Sequence, residues 1–462
     1  MLVPRTRLIL WVAMIGLPFA AAGALVPGAL VLSAGIVAGF AAVVLVDAVL
    51  AARALRGIRI ELPELVRLQK DRAGILDVRV LNETQAARTL RVGIALPREI
   101  TSESDNRTML LPAQAAASRL DWRLTPSKRG QYFLERIHME AASPLGFWAK
   151  RASQPVRAEL RVYPNLFDER RRVAALFLRR SLAGFRAHRQ AGQGRDFEKL
   201  REYVHGDSSD EIHWKASAKR GHPVTKVFQV ERTQEVYVIV DASRLSARGV
   251  KCEVGSWKSE PLPLPTSDFR LPASPTALER FITASLILGL AAEQQGDQFG
   301  LVTFSDRVLS FVRAKSGQAH YDACRDRLYT LHPQQVTPDF DEVCSFLRLR
   351  LRRRALLIFL TSLDDPMLAE RFVKAVELLS RQHLILVDML QPAGAQPLFS
   401  AADVSAADDL YKRLGGHLQW HDLRELERVL KRRGVRFSLL NPDKLSAQIV
   451  AQHAEVKQLQ LL

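Results

Sequence analysis

The stretch VYVIVDASRLS, residues 236–246, decides the fold of the C-terminal half of this chain. Its β-branched and aromatic residues form an uninterrupted apolar run, which is typical of a parallel strand buried on both faces. The run ends at Asp241, and Ser243 follows two residues later. Because ligands of open α/β sheets bind beyond the carboxyl ends of the strands, these two polar residues mark a candidate site.

Four more apolar runs of strand length follow and alternate with amphipathic segments. The runs are FGLVTF (299–304), ALLIFL (355–360), HLILV (383–387) and VRFSLL (435–440), and the helical segments lie near 277–295, 339–353, 366–381 and 422–433. The order of strand, helix and strand predicts a mostly parallel sheet with helices on both faces. We therefore predict a doubly wound α/β domain over residues 235–462.

Composition limits the function classes. The chain has 462 residues, 47% of them hydrophobic, which excludes a disordered protein and allows several domains. The net charge of +17 favours anionic partners, whether lipid headgroups, nucleic acid or an acidic protein surface. The cysteines at 252, 324 and 344 have no CxxC spacing, so neither a disulfide framework nor a zinc cage is predicted.

The N-terminus carries two apolar runs, residues 8–26 and 29–50, of which only the second contains a charge, Asp47. Each has about 20 residues, or roughly 30 Å of helix, the thickness of a bilayer core. We predict a two-span transmembrane hairpin over residues 1–59. Asp47 lies about one turn from the end of its helix, where Arg53 could reach it, and a proton-relay role is the alternative. The arginines flank the pair of runs and are absent from the turn between them, which predicts that both termini face the cytoplasm. A cleavable signal peptide is the alternative for the first run.

Residues 60–165 change to short alternating runs separated by turn residues, which predicts a small antiparallel β-sandwich. The apolar turn SPLGFW, residues 143–148, is interpreted as a plug at one end of this domain or as a docking segment. A basic connector and a denser block follow over residues 166–234. The arginines at 170–172, 179 and 180 lie against anionic lipid or on a solvated helix, and the sequence leaves both readings open.

The block after the connector mixes aromatic, acidic and basic residues too densely for a simple surface loop. Its spacing of His and Asp fits no metal pattern, and we interpret it as a loop strapped across the start of the α/β domain, with Trp214 as an anchor. The block resembles the signature of the bacterial "domain of unknown function 58" family. The matching residues are Phe197, Leu200, Arg201, Tyr203, Gly206, Asp207, Ile212, Trp214, Lys215, Ala218 and Gly221. Ser209 and Asp210 stand where the family often has an arginine.

The resemblance implies two N-terminal spans, a β region and a von Willebrand factor type A domain. Type A domains hold Mg²⁺ with a DxSxS triplet, a Thr from a second loop and an Asp after a later strand. This chain supplies Asp241 and Ser243, but Leu245 holds the third triplet position, and the loop after FVRAK, residues 316–322, has no Thr. Asp364 is the nearest carboxylate after the later strand, or else it caps the next helix. We expect a degenerate site that binds no metal.

The resemblance also implies a partner, a MoxR-type AAA+ ATPase that helps to assemble or mature other proteins. No GxxxxGK[ST] loop occurs in this chain, so any ATP hydrolysis belongs to the partner. We therefore predict a membrane-anchored cytoplasmic scaffold without a cofactor or catalytic residues. The alternatives are a metal-dependent ligand-binding domain and a hydrolase that uses residues 205–215.

Two further segments bear on partners. The Pro-rich insertion at 247–276 begins at the end of the sheet where ligands bind, and we interpret it as a partner-binding lid or as a disordered spacer. The arginine run at 348–354 lacks interleaved aromatic residues, so nucleic-acid binding is not predicted.

Overall fold

The computed structural model describes residues 1–26, 29–167, 169–174, 196–204, 212–229, 234–249, 275–398 and 407–459. The chain divides into two compact units, Met1–Asn165 and Leu166–Leu462.

Two apolar helices begin the first unit, α1 (Thr6–Leu25) and α2 (Leu30–Ala52). Within α1 the stretch Val12–Gly16 is a π-helical turn. Both helices are long and apolar enough to cross a membrane, and little of their surface is buried, unlike that of a core helix. Their length and composition fit membrane spans or a signal sequence.

Two sheets form the rest of the first unit. The strands are β1 (Leu2–Pro4), β2 (Ile58–Glu61), β3 (Leu65–Gln69), β4 (Gly74–Asn82), β5 (Arg88–Ile94), β6 (Ile100–Ser102), β7 (Asn106–Leu111), β8 (Ala117–Pro126), β9 (Gly130–Ala142) and β10 (Trp148–Tyr163). One sheet has the order β1-β10-β9-β5-β7, with β3 parallel to β10, and the other has the order β2-β4-β8-β6. One hydrophobic core takes side chains from both sheets, because alternate residues such as Leu76, Val78 and Val80 point inward.

Asp47 has a different partner from the one predicted. Its carboxylate accepts hydrogen bonds from Ser143 Oγ at 2.6 Å and from the backbone N–H groups of Leu145 at 3.1 Å and Phe147 at 3.2 Å. Trp148 Nε1 donates to the carbonyl of Val44 at 3.1 Å. The turn at 143–148 is therefore fastened to α2, which favours the docking interpretation of that turn; the predicted pairing of Asp47 with Arg53 is wrong.

The second unit contains a two-stranded hairpin and a six-stranded sheet. The hairpin is β11 (Asp196–Glu202) with β12 (Val224–Gln229), and the sheet contains β13 (Glu235–Asp241), β14 (Gln298–Phe304), β15 (Val308–Lys315), β16 (Leu356–Leu360), β17 (Leu384–Leu390) and β18 (Val435–Leu440). Its order is β15-β14-β13-β16-β17-β18, with every pairing parallel except that of β14 with β15.

Helices cover both faces of this sheet, which explains why its strands are apolar without alternation. Helix α3 (Trp214–Arg220) lies between the two hairpin strands in sequence. The helices around the sheet are α4 (Ala277–Gln294), α5 (Gln318–Leu328), α6 (Phe340–Arg350), α7 (Pro366–Ser380), α8 (Ala407–Arg432) and α9 (Leu445–Gln458). Val236, Val238 and Val240 of β13 pack in a core with side chains of α4 and α9. Tyr237 and Ile239 face the opposite core, with side chains of α6, α7 and α8.

All five strands predicted for the α/β region are present, but the prediction omitted three elements. The edge strand β15 and the helices α5 and α9 were not expected. Strand β15 is only half buried and α5 has few apolar positions, so both give weak periodic signals. Helix α8 also begins at Ala407, well before the predicted start near residue 422.

Candidate functional site

The carboxyl edge of the sheet gathers polar side chains from three neighbouring strands. Asp241 ends β13, Ser305 follows β14, and Thr361 follows β16. Because β13 lies between β14 and β16 with every strand parallel, their last residues meet at one edge. All three side chains are buried.

The carboxylate of Asp241 is satisfied from within the chain. Its Oδ1 accepts the backbone N–H of Ser243 at 2.8 Å, and its Oδ2 accepts the hydroxyl of Thr361 at 2.6 Å. Burial raises the pKa of Asp241, and the hydrogen bonds from Thr361 and Ser243 oppose that rise only in part. The carboxylate of Asp241 is therefore fully buried and hydrogen-bonded through both oxygens within the chain.

The serine side chains of the turn after β13 also form hydrogen bonds within that turn. Ser243 Oγ accepts the backbone N–H of Leu245 at 3.3 Å, and Ser246 Oγ donates to the carbonyl of Ser243 at 2.8 Å. Leu245 itself is buried in the core that contains α6 and α7. Its side chain therefore contributes to packing.

A second loop, residues 329–339, lies across this turn. The backbone N–H of Gln334 donates to the carbonyl of Ala242 at 2.7 Å, and that of Arg244 donates to the carbonyl of Val336 at 3.0 Å. Ser305 Oγ lies 2.8 Å from Gln334 Oε1. The loop predicted for this position, residues 316–322, instead leads into α5, so the second loop was wrongly identified. The loop that is present contains Thr337, which is exposed.

Asp364 does not join Asp241 in a shared site. It forms an ion pair with Arg248, which lies just beyond the turn after β13. The helix cap that we considered for Asp364 belongs to its neighbour, because Asp365 Oδ1 accepts the backbone N–H of Met367 at 3.0 Å. The two acids of the predicted degenerate metal site thus have separate partners.

These residues do not fit a Mg²⁺ ion. Asp241 and Thr361 are fully buried and hydrogen-bonded to each other, and position 245 has no oxygen. Over the described ranges, no group of three or more His, Cys, Asp or Glu side chains could hold a metal ion.

Two other buried aspartates differ from Asp241. Asp388, in β17, has no hydrogen-bond partner for either oxygen among the described residues. Burial raises its pKa to about 7, although the nearby Gln452 side chain opposes that rise. Asp297 precedes β14 at the opposite edge, and both of its oxygens lie 2.8 Å from Lys457 Nζ. Burial alone raises the pKa of Asp297, but hydrogen bonds from His453, Lys457 and the Gln234 backbone bring it below its ordinary value.

The signature block is described in part, since Gly206 and Asp207 lie outside the described residues. Tyr203 continues from β11, and its backbone N–H donates to the carbonyl of Pro223 at 3.0 Å. Ile212 forms an isolated bridge with Thr225, and Lys215 is exposed on α3. Trp214 does not act as an anchor, because 69% of it is exposed. The described part of the block is therefore a hairpin and a short helix with an aromatic side chain in solvent.

The connector and the insertion are described only at their ends. Arg172 Nη1 donates to the carbonyl of Asp443 at 3.0 Å, so this arginine contacts the α/β unit. Arg179 and Arg180 lie outside the described residues, as do residues 250–274 of the insertion. The two ends of the insertion meet, with Gly249 bridging to Thr276. The chain therefore enters and leaves the insertion at neighbouring positions, Gly249 and Thr276.

A family model matches part of the signature block and much of the α/β region. The family described as "Protein of unknown function DUF58" matches residues 199–256 and 267–405. A solved structure of the conserved hypothetical protein BatB from Bacteroides thetaiotaomicron is 14% identical, covers 49% of this chain and 99% of its own, and has a TM-score of 0.29. A protein of unknown function from Porphyromonas gingivalis W83 is 18% identical, covers 24% of this chain and 49% of its own, and has a TM-score of 0.18. No curated protein matches the chain.

Proposed function

We propose that this chain is a membrane-anchored adaptor that binds other proteins through its α/β unit on the cytoplasmic side of a bacterial inner membrane. In this proposal α1 and α2 span the membrane, both termini are cytoplasmic, and the α/β unit is a von Willebrand factor type A-like domain. The partner is a MoxR-type AAA+ ATPase that acts in the assembly or maturation of other proteins.

The closed carboxyl edge is the observation that carries this proposal. In an α/β sheet this edge is where substrates and cofactors bind. Here it is occupied by Asp241, Thr361 and the loop 329–339, all hydrogen-bonded to one another or to the turn after β13. An edge filled in this way favours recognition of a protein surface over chemistry on a small substrate.

The apolar helices support the anchor. Many of their side chains face outward, including Val31 at 83% exposure and Leu32 at 70%. Exposed apolar side chains on two consecutive helices of this length are stable in lipid and unstable in water. A periplasm-only reporter fused after Leu462 is expected to be inactive, and activity there would overturn the cytoplasmic placement.

The partner is tested by affinity capture of the full-length chain from detergent-solubilised membranes of its host, followed by mass spectrometry. We expect an AAA+ ATPase to be recovered with and without EDTA. We also expect Thr337→Arg, in the exposed loop at the carboxyl edge, to reduce its recovery. Ser345→Arg is the matched control, because it adds the same charge on an exposed position in the middle of α6.

The outcomes separate the alternatives. Loss of the ATPase with EDTA would support a metal-dependent site in place of the closed edge. If no AAA+ ATPase is recovered from any sample, the proposed partner is wrong. Equal recovery of the ATPase with both variants would show that it does not bind at the loop of the carboxyl edge.

A further inference from the structure

Basic side chains concentrate at the amino edge of the α/β sheet, opposite the site described above. They come from three segments, 348–355 before β16, 377–383 before β17 and 428–434 before β18. The cations are Arg348, Arg350, Arg352, Arg353, Arg354, Arg381, Arg428, Lys431, Arg432 and Arg433. Together the three segments contain one carboxylate, Glu377. We call this surface the basic edge.

The fold brings these segments together although they are far apart in sequence. Strands β16, β17 and β18 are consecutive and parallel, so the segments that lead into them lie side by side. With strands about 4.8 Å apart, the three entry points span roughly 10 Å. Direct contacts join two of the segments, since Gln382 Nε2 donates to the carbonyl of Arg352 at 3.0 Å.

The basic edge has a large positive excess. Its one carboxylate, Glu377, already accepts a bond from Arg433 Nη1 at 2.8 Å. Arg433 is half-buried, and the other nine cationic residues are exposed. His383 is buried between the segments, and its pKa is lowered by burial and then by the charge of Arg354. Closely spaced exposed cations repel one another, so such a surface is stabilised by an anionic partner.

An exposed leucine indicates which anionic partner fits. Leu349 is 81% exposed and lies between Arg348 and Arg350 near the end of α6. An apolar side chain surrounded by cations matches a lipid interface, where headgroups meet the charges and the hydrocarbon accepts the apolar group. Single-stranded nucleic acid stacks its bases on exposed aromatic rings. The aromatic ring at this surface, that of Phe346, is covered by Arg350, whose guanidinium carbon lies 5.5 Å from the ring centroid.

We propose that the basic edge binds the anionic headgroups of a lipid bilayer, with Leu349 inserted among them. This inference rests on the membrane anchor of the proposed function, because a tethered unit meets the bilayer at high local concentration. It is independent of the protein partner, which we assign to the opposite edge of the sheet. The basic edge would hold the α/β unit against the membrane and leave the carboxyl edge free for its partner.

The test uses the full-length chain in nanodiscs of phosphatidylcholine, mixed with vesicles that contain either phosphatidylcholine alone or about 30 mol% phosphatidylglycerol. Binding is measured as the fraction of protein that floats with the vesicles at about 0.15 M salt. We expect flotation with the anionic vesicles only. The triple variant R348Q/R352Q/R353Q is expected to weaken it on the order of 100-fold, while R348K/R352K/R353K preserves it. Leu349→Ser is expected to weaken it several-fold with little change in salt dependence.

A charge-matched control separates the basic edge from the overall charge of the chain. R67Q/R136Q/R157Q removes three exposed arginines from the first unit and is expected to float normally. Equal loss with both triple variants, or no flotation with anionic vesicles, would overturn the proposal. So would tighter binding to duplex DNA or RNA than to the vesicles at the same salt. If the protein does not enter nanodiscs at all, the result contradicts the membrane anchor of the proposed function.

Discussion

Buried aspartates at the two edges of the α/β sheet have pKa values shifted in opposite directions. At the amino edge, Asp297 is fully buried yet its pKa lies below the ordinary value, because Lys457 and His453 are hydrogen-bonded to it. Toward the carboxyl edge, Asp241 and Asp388 are equally buried, and burial raises the pKa of both. The difference is the presence of a cation, since burial by itself opposes ionisation at every one of the three.

The comparison shows that ionising a buried aspartate stabilises the fold at one position and destabilises it at another. Asp297 forms part of a paired network and contributes stability in its ionised form. No cation among the described residues offsets the burial of Asp388, whose raised pKa means that its protonated form is favoured in the fold. Asp241 lies between these cases, because neutral donors satisfy its oxygens without supplying a positive charge.

The largest expected effect is a stabilisation on replacing Asp388 by Asn. Burial raises the pKa of Asp388 from 3.8 to about 7, so the folded state increasingly loses stability as pH rises from 3.8 to 7. At one pKa unit per 1.36 kcal/mol, Asp388→Asn should gain about 4 kcal/mol in unfolding free energy near pH 8 and almost nothing near pH 4. Urea titration with pulse proteolysis of the full chain in detergent measures this difference. The exposed Asp422→Asn is the control, and a gain for Asp388→Asn that is independent of pH would contradict the assignment.

Breaking the amino-edge network should have the opposite sign. Asp297→Asn leaves Lys457 without its carboxylate, which should cost about 3 kcal/mol of unfolding free energy near neutral pH. Because the pKa of Asp297 is lowered, this contribution is present above its ordinary pKa and is lost as pH falls through the folded value. The same pulse proteolysis assay measures it. Lys457→Met in the Asp297→Asn background should recover part of the loss, and an additive loss would show that the pair is not coupled.

The smallest expected effect concerns the hydroxyl that closes the carboxyl edge. Thr361→Val removes the donor to Asp241 while keeping the shape, and should cost about 2 kcal/mol of unfolding free energy. Thr361→Ser keeps the hydroxyl and should lose much less. If valine and serine have the same effect, then the bond to Asp241 contributes nothing, and the edge is closed by packing alone.

The candidate site could be predicted only in outline. Asp241 and Ser243 are identified by their place after an apolar strand, because strand and turn signals are local. Thr361 was missed: its importance depends on β16 lying beside β13, a pairing between residues more than 100 apart. The loop 329–339 was missed for a related reason, because α5 occupies most of the segment, residues 316–322, that was expected to be the second loop.

The sequence by itself determined the two apolar helices, the alternating strands of the first unit and the α/β order of the second, since each follows from hydrophobic periodicity along a short segment. The tertiary structure alone decided which side chains meet. It fastened Asp47 to the turn at 143–148, closed Asp241 with Thr361, and collected the arginines of three separate segments into the basic edge. The physical reason is that periodicity specifies which face of an element is buried, whereas the contacts at its ends depend on which elements become neighbours.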